Sequence, residues 1–252
     1  HASLNPHVKY PFHTETSGDV PLGSGLNTFS KYSWVDFYRI KWDSCSNASE
    51  NDCWTAKGFT FMRVRIDEGV YIDMINLHAN AGTPPGDRVA RRSNIQQQVA
   101  DFISANSFGN AVIVFGNTNS RYTRSEDNIR LLTNQNGLTD AWVQAIGGNA
   151  PAADAEAIVC PKGVPPNISC EVVDKVLYRG SHIIDLKSLG FFYDTSRFLS
   201  PAGDTLTDHN PVRVEFEYTL KPGFRQSDLY GGPHGTWFND LPFIPPSPSL
   251  ST

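Results

Sequence analysis

The sequence predicts a mixed α/β fold built in layers, and three observations carry that expectation. Stretches that alternate apolar and polar residues outnumber amphipathic helical ones. Two of them, residues 58–66 and 70–78, are separated only by Asp67-Glu68-Gly69, the pattern of an antiparallel hairpin. A helical stretch then stands between the second of these and the apolar run 110–115, which makes a β-α-β crossover. No G-x-G-x-x-G, P-loop, H-E-x-x-H or G-x-S-x-G motif occurs, so neither a Rossmann fold nor a nucleophile elbow is expected.

Taken in order, residues 25–30 and 33–41 read as strands, followed by the hairpin. After Pro84-Pro85, Asp87 can cap a helix whose Val89, Ile95, Val99, Phe102 and Ile103 fall mostly on one face. The run 110–115 is a buried strand, and Ile129 to Leu132 begins a short helix. Residues 171–178 and 211–218 are further strands. Trp34, Phe37, Tyr38, Trp54 and Trp142 are assigned to the core in preference to a lipid-contacting surface, because large rings bury the most area. Residues 1–222 are expected to form one domain and 223–252 a Gly/Pro-rich extension. In that extension, residues 230–240 form a loop that packs back on the domain, and the proline-rich end from Leu241 suits a stiff linker. The chain opens on His1 in ordinary domain-like sequence, without a targeting segment, so an upstream piece is expected to exist.

Composition narrows the function. The 252 residues suffice for a proper core. The 21 Lys and Arg against 26 Asp and Glu give a net charge of −5, which argues against a protein that coats nucleic acid with a basic face but leaves open a hydrolase of phosphate esters. Apolar runs such as Ala111 to Phe115 are too short to span a membrane. Cys45, Cys53, Cys160 and Cys170 form no C-x-x-C pair; four cysteines allow three pairings, of which Cys45–Cys53 with Cys160–Cys170 needs the least rearrangement. Each of those two loops contains an N-glycosylation sequon, at Asn47 and Asn167. Disulfides and sequons together point to a secreted, extracellular glycoprotein.

The chemistry collects where strands stop. His78 ends one strand, Asn117 and Asn119 follow Gly116 at the end of another, Asp174 enters a third, and Asp208-His209 precedes the last. Singly, each is an ordinary turn former or structural histidine. In this order, Leu77-His78, Gly116-Asn-Thr-Asn119, Asp174-Lys-Val176 and Thr207-Asp-His-Asn-Pro-Val212 resemble the endonuclease/exonuclease/phosphatase superfamily with its DNase I-like fold. Ser24-Gly-Leu-Asn-Thr-Phe-Ser30 resembles a further strand of that family, and the likeness runs over roughly residues 20–218. It looks nearest to a secreted fungal branch in which a lectin-like domain can follow the catalytic one.

The resemblance implies a four-layer α/β/β/α sandwich of two mixed, mainly antiparallel sheets, and hydrolysis of a phosphodiester, in nucleic acid or a sphingomyelin-type phospholipid. His209 would take a proton from water, and Asp208 would orient that imidazole or contact a metal. His78 would hydrogen-bond a phosphate oxygen or serve as an acid, Asn119 would position phosphate or water, and Asp174 would support the first histidine and stabilise its charge. A divalent cation, Mg²⁺ or otherwise Mn²⁺ or Ca²⁺, would be held by Asp208, Asn117 and Asn119. Two departures stand out. Asn117 occupies the place of an aspartate, and the family's first metal ligands, an Asn and a Glu on the first strands, precede the position that matches His1. The fold is therefore expected to be N-terminally incomplete, with a gap in its core, and completed by a cleaved segment that stays docked or by a second chain. The alternative is a non-catalytic pseudoenzyme or a lectin-like binding protein on the same fold.

Overall fold

Alternating side chains organise the chain around one six-stranded sheet, seen in a computed structural model that describes residues 9–15, 23–49, 51–55 and 57–223. Two short strands, β1 (Phe12–His13) and β2 (Phe29–Ser30), pair antiparallel beside it. The strand predicted over 25–30 thus shrinks to its last two residues. β3 (Trp34–Lys41), β4 (Gly58–Asp67) and β5 (Val70–His78) follow as an antiparallel meander, with the predicted hairpin between the last two.

The chain then crosses over through α1 (Pro85–Ser93), a π-helical stretch Asn94–Ala100 and α2 (Asp101–Asn106), and returns as β6 (Ala111–Asn117), parallel to β5. Pro85 occupies the first turn of α1, where its missing N–H leaves no bond unmade. Pro84, not Asp87, is the N-cap residue. Asp87 instead turns inward and accepts from Ala48 N and Ser49 Oγ, pinning the Cys45–Cys53 loop to the helix. Ile95, Val99, Phe102 and Ile103 form the buried face as predicted, but Val89 is 68% exposed. Six positions before Ile95, it lies about a third of a turn round the helix from that face.

Next come α3 (Arg130–Asn134), β7 (Thr139–Asp140), α4 (Ala141–Ala145), β8 (Asp174–Arg179), β9 (Ile184–Tyr193) and β10 (Val212–Leu220). Asp140 caps α4 by accepting from Trp142 N and Val143 N. The strand predicted from Glu171 enters the sheet only at Asp174; Glu171 makes an isolated bridge to Val159. The main sheet runs β3-β4-β5-β6-β8-β7, and β9 and β10 form a second, antiparallel sheet.

The register separates two faces of the main sheet. Phe61, Ile75, Val114 and Leu177 are consecutive partners across β4, β5, β6 and β8. Their face carries the helices, with Phe59 and Phe61 at 5.1 and 5.2 Å from Phe102. Met62, Met74, Ile113 and Tyr178 are partners on the other face. That face meets the second sheet, where Tyr178 and Phe216 pack edge to face at 5.0 Å. Helices, main sheet and second sheet make an α/β sandwich. Between the sheets runs an open apolar groove of about 600 Å³, lined by Met62, Met74, Phe115, Val176, Val214 and Phe216. Among the described residues, one edge of β10 has no strand partner.

Both local disulfides form, Cys45–Cys53 and Cys160–Cys170, with Cα atoms 5.3 and 4.8 Å apart. Trp142 is buried, as predicted, whereas Trp54 is 75% exposed on the short turn after Cys53, where no element covers it. The expected loop 230–240 and the proline-rich end lie outside the described residues. No described helix is long and apolar enough to cross a membrane.

Candidate active site

Three strand ends place three of the predicted residues in one row. His78 is the register partner of Asn117 across β5 and β6, and Asn117 that of Asp174 across β6 and β8. Register partners project from the same face of a sheet, so the three side chains stand side by side. The close approach of β5 and β6 at this point requires glycine. Gly116 has φ 123°, and a Cβ there would lie 2.2 Å from Leu77 O.

The loop after β6 is held by its own amides. Asn119, at φ 51°, donates its backbone N–H to Asn117 Oδ1 at 2.8 Å and its Nδ2 to Ala79 O at 2.8 Å. Thr118 donates both N–H and Oγ1–H to Val173 O, tying the loop to the entrance of β8. Asn117 Nδ2 lies 3.5 Å from His78 Nε2. His78 is half-buried, and its own carbonyl accepts from Trp42 Nε1 at 2.7 Å. Burial, with Lys57 nearby, lowers the His78 pKa to about 4, so its ring is neutral near pH 7.

His209 arrives from the loop before β10. Its Nδ1 lies 2.6 Å from Asp174 Oδ2. This hydrogen bond raises the His209 pKa above the ordinary histidine value, against the opposing pull of burial. With Asp174 accepting the Nδ1 proton, Nε2 is left as the proton acceptor. The orienting partner of His209 is therefore Asp174. Asp208 is exposed, accepts from Thr207 Oγ1 at 3.5 Å and lines the same cleft as Asp174 and His209, so it is Asp174 and not Asp208 that meets the His209 ring. Beside the pair opens a cleft of about 510 Å³ between the Cys160–Cys170 loop and residues 205–210, with Arg121 and Lys162 on its walls.

Sequence reasoning had not singled out Arg121, Lys162 or Glu171. Arg121 stands two residues beyond Asn119, which was a usable signal, while Glu171 and Lys162 carry none because only folding brings them to the cleft. Among the described residues, no group of three His, Cys, Asp or Glu side chains converges to hold a metal.

Residues 27–144, which include the His78 and Asn117 strand ends, match the profile of Endonuclease/Exonuclease/phosphatase family 2. The chain belongs to the endonuclease/exonuclease/phosphatase superfamily. Within this superfamily it is 36% identical over 199 residues to sphingomyelinases of Mycobacterium bovis and Mycobacterium tuberculosis. That match covers 79% of this chain and spans 38% of the length of those relatives. Among solved structures of DNase I-like fold, sphingomyelinase C from Streptomyces griseocarneus superposes with a TM-score of 0.59 at 17% identity, over 84% of this chain and 79% of that one. A humanized D. rerio TDP2 gives 0.60 at 14% identity, over 86% and 80%. At those identities the likeness concerns the fold of the superfamily alone.

Proposed function

We propose that the chain hydrolyses a phosphodiester, with water activated by His209 and a sphingomyelin-type phospholipid as substrate in preference to nucleic acid. The observation that carries this reading is the 2.6 Å contact between His209 Nδ1 and Asp174, set beside the row of Asn117 and His78. A water at the free Nε2 loses its proton there as its oxygen bonds to phosphorus, the P–O bond to the alcohol leaving group breaks, and the imidazolium, stabilised by Asp174, returns that proton to the departing alkoxide. His78, neutral at working pH, acts as a hydrogen-bond donor to a phosphate oxygen and not as a cationic acid. Asn119 serves the site by holding Asn117 and the end of β5 in place.

The preference for lipid rests on the rim of the cleft. Val159 is an exposed apolar side chain on one wall of a polar cleft, and the exposed Val164 and Leu206 are chain neighbours of the lining residues Gly163, Thr205 and Thr207. The curated relatives are sphingomyelinases, and the net charge of −5 suits a nucleic acid poorly. The test is a comparison of sphingomyelin vesicles, DNA and bis-p-nitrophenyl phosphate for wild type and His209→Ala. Release of phosphocholine that the variant lacks supports the reading; wild-type protein inert on all three sinks it. The binding-protein alternative is favoured by Asn117, which offers an amide where a carboxylate would serve, and it gains ground if the wild type binds vesicles without turnover.

The residues present fit a divalent cation incompletely. Asp208 is the one acidic side chain of the expected set, and Asn117 Oδ1 already accepts from Asn119, whereas Mg²⁺ takes several oxygen ligands in octahedral geometry. No step here is routed through a metal. The proposal includes a further stretch of polypeptide, from the same gene product or a second chain, that fills the apolar groove and pairs with the edge of β10 that has no strand partner among the described residues. It also includes secretion and glycosylation, supported by the two disulfides and by the exposed positions of Asn47 and Asn167.

A further inference from the structure

Beneath the strand that carries Asp174 lies a buried charge cluster that the proposed reaction does not touch. Glu171 and Lys175 flank Asp174, with side chains 0% and 1% exposed and Nζ 2.6 Å from Oε1. The same Oε1 accepts the backbone N–H of Tyr122 at 2.8 Å. Lys175 Nζ lies 5.0 Å from the ring centres of both Tyr122 and Trp142, and Tyr122 OH donates to Asp140 Oδ2 at 2.9 Å. The backbone carbonyl of Glu171 accepts from Arg121 Nη1. The cluster thus joins two segments: the one that follows Asn119 and the one that bears Asp174.

Stability is a poor explanation for it. A buried ion pair is often no better than well-packed apolar side chains of the same volume, because dehydration offsets the Coulomb attraction. Here Glu171 Oε2 is buried with no hydrogen-bond partner, which adds to the cost. What such a pair does supply is fixed geometry: the carboxylate accepts from two directions, and the ammonium sits between two rings that are themselves buried. We propose that Glu171 and Lys175 are positioning residues, which lock residues 120–122 to residues 171–175 so that Asp174 meets His209 in the row set by Asn117. This rests on the reading of Asp174 and His209 as the reacting pair.

The decisive variant is Glu171→Gln combined with Lys175→Met, which removes both charges at nearly constant volume; either change alone strands a buried charge and risks unfolding. Wild type and double variant are compared in thermal unfolding, in kcat and KM on sphingomyelin vesicles, and in the low-field NMR signal of the His209 Nδ1 proton shared with Asp174. The expected result is a folded protein with KM within about twofold and kcat reduced on the order of 10²-fold, since a misplacement of ~1 Å suffices for that. The low-field proton signal is expected to shift or broaden. Unchanged kcat, or a loss no larger than the unfolded fraction, overturns the proposal. If the wild type itself hydrolyses nothing, the hydrolase reading fails, and the proton signal alone then decides: altered in the double variant it supports the positioning role, unaltered it overturns it.

Discussion

At the scale of single residues, the site is a contest between burial and hydrogen bonding. His78 and His209 are the same side chain with opposite fates: burial lowers one to about 4, and the contact with Asp174 raises the other. A general base must be unprotonated, so the acid limb of kcat/KM is expected above the ordinary histidine range. Asp174→Asn removes the cause, and the limb then moves to lower pH while kcat/KM falls by roughly 10²–10⁴; a pH–rate profile of the two proteins checks both. The same contact stabilises the fold below the unfolded pKa of histidine, and that contribution is lost as pH rises through the raised value of His209. Asn117 offers a complementary test. Asn117→Asp supplies a carboxylate 3.5 Å from His78 Nε2, which favours the charged ring and assists proton transfer. The expected outcome is a kcat raised by about 10²; a fall would show that the amide is part of the working site. The six site residues predicted from sequence come together: His78, Asn117 and Asp174 by register, Asn119 on Asn117, and His209 with Asp208 at the cleft beside Asp174, because strand-end motifs carry their own geometry. The resemblance offered Asp208 as an orienting partner of His209 or a metal contact; His209 Nδ1 meets Asp174 from another strand, and Asp208 lines the cleft beside them.

At the scale of elements, what the sequence made legible was periodicity long enough to count. The β4–β5 hairpin has nineteen strand positions apart from its turn, and it folds as predicted from residue 58 to 78. β9 was missed because Lys187, Ser188 and Gly190 interrupt its apolar positions, and α4 because five residues do not display a helical period. The junction of β5 and β6 depends on one glycine. Gly116→Ala places a methyl against Leu77 O at a backbone angle that alanine resists, at a cost of about 1–3 kcal/mol. Thermal unfolding is expected to report the loss, and activity to fall further than stability because Asn117 moves. The Cys160–Cys170 loop forms a wall of the cleft and ends one residue before Glu171. Replacing both cysteines by serine is expected to lower stability by roughly 2–4 kcal/mol. It should also raise KM, read from denaturant unfolding and initial rates.

At the scale of the whole molecule, periodicity alone showed a layered α/β protein, and the expectation of a gap in the core came from the family resemblance. Among the described residues, six strands in one sheet face two in the other, and the apolar groove lies between them. Periodicity could not place that groove, since sheet membership depends on pairings between distant segments. If further polypeptide fills the groove, the 252-residue chain alone should bind an apolar dye such as ANS, and a form carrying that polypeptide should not; equal dye binding by both counts against it.

β10 has a consequence for handling the protein that is separate from its chemistry. Among the described residues no strand pairs with one edge of β10, and such an edge beside a greasy furrow is a template for fibre growth. Its outward positions Glu215 and Glu217 are charged, and like charges at close range repel a second copy laid along the same edge. Colloidal behaviour should therefore hinge on two glutamates remote from catalysis. Glu215→Gln with Glu217→Gln is expected to turn a clear solution turbid, with light scattering rising with concentration while phosphodiester turnover per soluble molecule stays the same.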